Sequence, residues 1–402
     1  MRIIWKECKK ILDARLLLIL FAFTILFYTM FMEITIYPSG GQHTDSPYDI
    51  PFAAELVKDL GPSLKIKDWS KIDDKIEELK NEYNTIIASN KILNEAGITT
   101  FDEMKNYWDK EDDEKELTKE EQKIEDEINR LIFSDETSSK LDFELQYAKL
   151  LNEFQGYTYG ISKDQVTSFM KTYYEGTSKL YQKAISQRIT KDYISLLPDG
   201  MLYILQSDMK SMSVLLLICF MVLIIPYQLK EKLRGVTPLY ATTHTGRNIY
   251  KKQFLSSILS CGIVGILQLL VYLALYVWKG LAPFWACECW SAANNTYWCD
   301  NISFGAYMAI YMLLVLLFTL AAVVVAYLIG RIAANYIAGI ACSICVGGMI
   351  YIFMINLFSR LFYFNEESTI AMWELPCTAV WLFATFILIT LRLKKDKKTD
   401  IS

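Results

Sequence analysis

Long apolar runs, separated by polar stretches of very unequal length, organise this chain. A helix crosses a bilayer in about 20 apolar residues, and six windows qualify: 16–32, extending toward Tyr37, then 211–229, 254–277, 304–329, 332–358 and 375–391. Their interiors are nearly free of charge, so the backbone must satisfy itself within each segment, as a helix does. The connection between the first two windows is long and polar; the others are short. The expected fold class is an all-α polytopic membrane protein with six transmembrane helices and a helical extracytoplasmic domain inserted between spans one and two. The expected division is an interfacial helix over 1–14, a first span over 15–37, the inserted domain over 38–210 and a second span over 211–229. A cytoplasmic loop over 230–253 follows, then spans three to six with a short basic tail over 254–402.

Within the insert the pattern is helical. Ile72, Ile76, Leu79, Tyr83 and Ile86 recur at alternating four- and three-residue spacing. Leu141, Leu145, Ala148 and Leu151 form a second apolar series, and Val166, Phe169, Met170 and Tyr173 a third. Ser70-x-x-Asp73, Thr100-x-x-Glu103, Thr118-x-x-Glu121 and Ser162-x-x-Gln165 read as capping boxes at helix starts. The stretch 105–127 is so charged that an exposed hairpin or tip is expected. The insert is long enough for its own core. At the N-terminus, Ile4, Cys8, Ile11 and Leu12 line one helical face while Arg2, Lys6, Lys9, Lys10 and Asp13 lie elsewhere, the pattern of a helix lying in the membrane interface. The first span has a long core and no small-x-small site after it, so a retained helix is expected rather than a cleaved signal.

Charge supplies the orientation. Basic residues cluster before span one (Arg2, Lys6, Lys9, Lys10, Arg15), after span two (Lys230, Lys232, Arg234, Arg247, Lys251, Lys252), between spans four and five (Arg331) and after span six (Arg392, Lys394, Lys395, Lys397, Lys398). Six crossings put all four segments on one side, which the positive-inside rule makes the cytoplasm. Both termini are then inside, 38–210 outside, and the protein is a multi-pass component of the cell membrane. The formal net charge of −4 conceals an insert with about 34 acidic and about 22 basic side chains, against about +8 elsewhere. This distribution argues against nucleic acid as a partner. The Lys-, Ile- and Asn-rich composition makes a bacterial source the expectation.

Candidate chemistry is sparse. The two histidines, His43 and His244, fall on opposite sides of the membrane, and no H-E-x-x-H, Walker A or G-x-S-x-G motif occurs. Ser39-Gly40-Gly41-Gln42 matches part of a nucleotide-binding signature, but it lies outside the membrane without a phosphate-binding lysine loop and is read as coincidence. No catalytic, cofactor or metal residue is assigned. Small residues recur at four-residue spacing in Ala322, Ala326 and Gly330, and in Gly339, Ser343 and Gly347. Such stripes let helices approach closely, within one chain or between two chains. Cys287, Cys289 and Cys299 share the loop between spans three and four, where Cys299 is a candidate disulfide partner of Cys287 or Cys289. Zinc lacks an evident fourth ligand there.

The loop 230–253 is the most specific signal. Thr237 can cap a short helix with Pro238 at its first position, tied at both ends to membrane helices. With the six-span plan and the interfacial N-terminal helix, this loop resembles the permease subunits of type-2 ATP-binding-cassette exporters, the subset with a large extracellular domain between the first two spans. Their corresponding loop runs acidic residue, Gly, a hydrophobic and hydroxyl-rich turn, Arg, then Lys. Glu231, Gly235, Leu239, Thr242, Arg247 and Lys251 follow that order, although Thr245-Gly246 replaces the Pro-Ser or Pro-Val that often precedes the Arg.

The resemblance implies a coupling helix, with Glu231, Gly235, Thr237, Pro238, Leu239, Tyr240, Arg247 and Lys251 docking on a separate ATPase subunit. This chain then has no enzymatic activity of its own, and ATP-Mg belongs to that partner. The resemblance also implies a second copy or a related permease, and a re-entrant hairpin over 357–373. Membrane lipid surrounds the spans, and an extracellular protein is a candidate partner of the insert. The expected cargo is a peptide, antibiotic or lipid-like amphiphile. Two other readings stay open: an ABC-type relay that regulates an external enzyme or sensor without transport, and an ATP-independent receptor or scaffold.

Overall fold

A computed structural model describes residues 2–36, 49–109, 118–153, 160–235, 249–289, 302–358 and 374–398. The chain starts with α1 (Arg2–Ile11), α2 (Ala14–Phe31) and a short α3 (Glu33–Ile36). The insert contributes α4 (Asp49–Leu60), β1 (Ser63–Lys65), α5 (Ser70–Ser89), α6 (Lys91–Glu95), α7 (Phe101–Trp108), α8 (Lys119–Asn129), α9 (Glu136–Glu153), α10 (Lys163–Tyr173), α11 (Lys179–Ile189) and β2 (Tyr193–Ser195). Then come α12 (Asp199–Leu233), α13 (Ile249–Trp278), α14 (Phe304–Ile332), α15 (Tyr336–Phe358) and α16 (Glu374–Lys398).

Six of these helices, α2, α12, α13, α14, α15 and α16, are long and apolar enough to cross a membrane, and the protein is a helical, multi-pass membrane protein. Helix α12 is the hub: 72% of its apolar window is buried, chiefly by α14 and α15. The outer helices instead turn large apolar side chains outward, among them Leu18, Ile337 and Val380. Water would penalise such a surface, whereas lipid does not.

Several boundaries differ from the expected ones. The first window breaks at Met32, between α2 and α3. The second helix starts at Asp199, not 211, so the insert ends sooner and the helix continues well beyond the apolar run. Arg331 lies at the end of α14, and Ala333–Asn335 turn the chain into α15.

The insert is mostly helical, with one two-stranded antiparallel ribbon that the helical pattern did not announce. Ser63 pairs with Ser195, Leu64 with Ile194 and Lys65 with Tyr193. The ribbon clasps the start of the insert to its end. Helix α5 packs on α9 through Ile72, Ile76, Leu79, Tyr83 and Ile87; Ile87, not Ile86, completes the buried stripe. Leu141, Leu145, Ala148 and Leu151 bury the facing side. These residues belong to one apolar core continuous with the membrane bundle, so the main part of the insert does not have the separate core expected of it. Among the described residues, α10 and α11 gather a separate small cluster around Tyr181, Ile185 and Ile189.

Two of the four capping boxes form, at Thr100–Glu103 and Thr118–Glu121. Ser70 is instead the first residue of α5, and Trp69 precedes it without a side-chain cap bond. The Ser162 side chain makes no cap bond to the α10 backbone and donates instead to Gln165 Oε1 at 3.1 Å.

Candidate coupling site at the basic end of the bundle

All the basic segments meet at one end of the bundle. Helix α1 does more than lie on an interface: it docks against α13 and α12. Cys8 and Ile11 are buried, and so is Glu7, while Trp5 stays 60% exposed. Cys8 Sγ donates to the Ser256 carbonyl at 3.7 Å, and Ser256 Oγ donates to the Ile4 carbonyl at 3.3 Å. A buried carboxylate needs a partner, and Glu7 has two: it accepts from the Tyr227 hydroxyl and from Lys10 Nζ at 2.8 Å. Lys10 also reaches Glu231 at 3.2 Å. Burial works against the Lys10 ammonium, but the two carboxylates outweigh it and raise its pKa. One lysine therefore ties the N-terminal helix to the last turn of α12.

The neighbouring contacts complete the end. Lys232 Nζ donates to the carbonyls of Ala333 (2.7 Å), Ile332 (3.3 Å) and Arg331 (3.4 Å). These are carbonyls at the end of α14, where a cation is favoured. The Arg331 guanidinium lies over the Tyr250 ring at 3.9 Å, a cation–π pair. The Tyr327 hydroxyl donates to the Tyr250 carbonyl at 3.2 Å. Gln228, Glu231, Lys232, Tyr250, Gln253, Arg331 and Arg392 surround a cavity of about 210 Å³.

Of the predicted coupling residues, Glu231 stands in this network, Gly235 closes α12 with φ +65°, and Lys251 is exposed on the first turn of α13. Thr237, Pro238, Leu239, Tyr240 and Arg247 lie outside the described residues, as do both histidines and the Ser39–Gln42 motif. The described chain brings both ends of their loop, Gly235 and Ile249, to this corner. The hairpin expected over 357–373 also falls almost wholly outside.

The small-residue stripes face α12 of the same chain. A Cβ on Gly330 would meet Gln228 Cβ at 2.6 Å, one on Gly339 would meet Leu229 Cδ1 at 2.7 Å, and one on Gly347 would meet Met221 Sδ at 3.0 Å. Ala322 and Ala326 are buried. Ser343 is half-buried and bonds the Ile340 carbonyl at 2.7 Å.

At the opposite end the insert meets the bundle. Asp208, buried on α12, accepts from the amides of Glu33 (2.6 Å) and Ile34 (3.1 Å) and from the Tyr272 hydroxyl. Glu288, after α13, accepts from Lys191 Nζ at 2.7 Å and from the Tyr193 hydroxyl at 2.9 Å; its carbonyl accepts from Ser195 Oγ at 2.7 Å. Cys287 and Cys289 flank it, both buried, and burial pushes the Cys287 thiol up to about 12. Cys299 lies outside the described residues.

Reading the sequence missed Glu7, Gln228, Gln253 and Asp208. A polar residue inside an apolar run was the available signal for Gln228. Asp208 offered none, because it stood among the polar residues assigned to the insert.

No family model, curated protein or solved structure matches this chain.

Proposed function

We propose that this chain is the membrane subunit of an ATP-binding-cassette exporter, energised by a separate ATPase that docks on residues 236–248. The observation that carries the reading is the convergence of α1, α12, α13 and α14 around Glu231 and Lys10, where that loop leaves and rejoins the bundle. A push on the loop would reach four helices at once. The basic end is then cytoplasmic and the insert extracytoplasmic, where it serves as a lid, a cargo receptor or a docking site. The cargo is an amphipathic peptide, antibiotic or lipid. A second copy of the chain, or a related permease, completes the path.

A non-transporting relay is the second reading. It is favoured by α12, a single helix from Asp199 to Leu233 that joins the insert to the basic end of the bundle. The two readings separate on transport: uptake of a labelled amphiphile into sealed vesicles that survives deletion of residues 60–195 would discard the relay.

Co-purification tests the docking itself. The intact protein should bring down an ATPase subunit, and removal of residues 238–243 should abolish that recovery. An ATPase yield unaffected by the deletion rejects the coupling assignment.

A further inference from the structure

Helix α13 turns its polar side inward. Every residue it buries is a tyrosine, serine, glutamine, cysteine or glycine, whereas Leu259, Ile266, Leu270 and Val277 stand on its outer surface. Lipid accounts for the outer surface but not for the inner face. Helix α14, in the same bundle, buries Leu314, Val315, Phe318 and Val323, so apolar packing was open to α13 too. Polar faces inside a membrane bundle mark the routes of water and solutes.

The inner face is also unpaired. Gln253 Nε2, Ser260 Oγ, Gln268 Oε1 and the Tyr276 hydroxyl lack hydrogen-bond partners among the described residues, and Gln253, Ser260 and Tyr276 are at most 1% exposed. Native structures keep few such atoms. These four follow one another about two turns apart, over roughly 35 Å of helix. They comprise a donor, an acceptor and two hydroxyls, and none is charged. Water satisfies such a set, and so does a neutral hydroxyl or amide; an ion does not. The inner end of the row reaches the cavity at the basic end through Gln253. Near the outer end Tyr272 donates to the buried Asp208. Between the two halves Gly265 lets the neighbouring helices come close: a Cβ there would meet Leu316 Cδ1 at 2.7 Å and Phe220 Cζ at 3.2 Å. Phe220 on α12 and Leu316 on α14 thus form an apolar septum.

We infer that the inward face of α13 lines a passage for water and small neutral hydrogen-bonding solutes, shut at Gly265 by Phe220 and Leu316. Water enters each half from its own side, and parting of the septum joins the halves. The uncharged walls exclude ions. The passage needs no ATPase, so it stands apart from the export reading.

Radiolytic hydroxyl labelling of the full-length protein in lipid vesicles, read by mass spectrometry, tests the water. Each rate is normalised to that of the same residue in the denatured chain. Cys261, Tyr272 and Tyr276 should label several-fold faster than Tyr311 and Phe318, which are buried as deeply on α14. Equal protection of the two sets overturns the passage. Glycerol permeability of the same vesicles, followed by light scattering after an osmotic jump, tests the septum. Phe220→Ala should raise it several-fold above wild type and leave potassium leak unchanged. Adding Ser260→Leu to that variant should remove most of the gain, because an apolar side chain then fills the inner half. A glycerol rate equal to wild type would reduce the waters to isolated structural ones, and a matching rise in potassium leak would mean a loosened bundle; either result overturns the passage. If Phe220→Ala does not fold, Leu316→Ala opens the septum from its other wall and decides on the same readings.

Discussion

Two buried aspartates illustrate opposite solutions to one problem. Asp208 has its oxygens occupied by two amides and a tyrosine hydroxyl. Asp208→Ala orphans those donors, each at about 1–3 kcal/mol, and should lower the melting temperature of the detergent-solubilised protein well below that of Asp208→Asn, which keeps an acceptor. Asp142, on α9 in the insert, is satisfied on one side only. It accepts from Gln146, while its Oδ1 has no partner among the described residues. Burial raises its pKa, more than Lys105 and Gln146 lower it. The folded state then holds the proton more tightly than the unfolded chain, so this group loses stability as pH rises from the ordinary aspartate value of about 4. Asp142→Asn should therefore stabilise the protein at pH 7 and above, with the gain vanishing near pH 4; a pH series of melting curves for both forms measures it. Neither aspartate was legible in the sequence, because a carboxylate's role is set by distant neighbours, such as Glu33 for Asp208.

At the scale of elements, the membrane helices were the most legible part. Lipid demands an apolar face along the whole crossing, and that demand writes itself into consecutive residues. The ends were less legible, since helix α12 continues upstream through Asp199–Lys210 with polar side chains that resemble the insert beside them. The ribbon of β1 and β2 left no trace, because three-residue strands owe their pairing to contacts more than a hundred positions apart. Helix α1 was found by its period, but its buried face turns on Glu7, a charge that simple amphipathic reasoning assigns to solvent. The junction at Glu288 is likewise a meeting of distant segments. Glu288→Ala removes the acceptor shared by Lys191 and Tyr193 while leaving the carbonyl that holds Ser195. It should raise hydrogen exchange in Tyr193–Ser195 and its partner Ser63–Lys65 without altering exchange at α13. Unchanged protection in the ribbon would show that strand pairing alone secures the clasp.

Across the whole molecule, one apolar core runs from the insert into the bundle, and the charged termini of the helices collect at the far end. The two ends are therefore mechanically in series. Of the basic end of the bundle, the basic cluster was legible from charge, whereas the two glutamines that line its cavity emerged only once the helices were assembled.

The continuity of α12 has a further consequence. Thirty-five residues, with Pro226 inside the helix, span about 52 Å at ideal rise, and Asp208 and Gln228 lie about 30 Å apart along it. Its two ends share a rotational phase. A single alanine inserted after Leu216 would turn one end against the other by about 100°. Either Asp208 would leave the amides it holds or Met221 and Gln228 would swing away from the glycines of α14 and α15. Cysteine crosslinking at each junction would reveal which grip yields first, and so which end of the molecule sets the timing for the other.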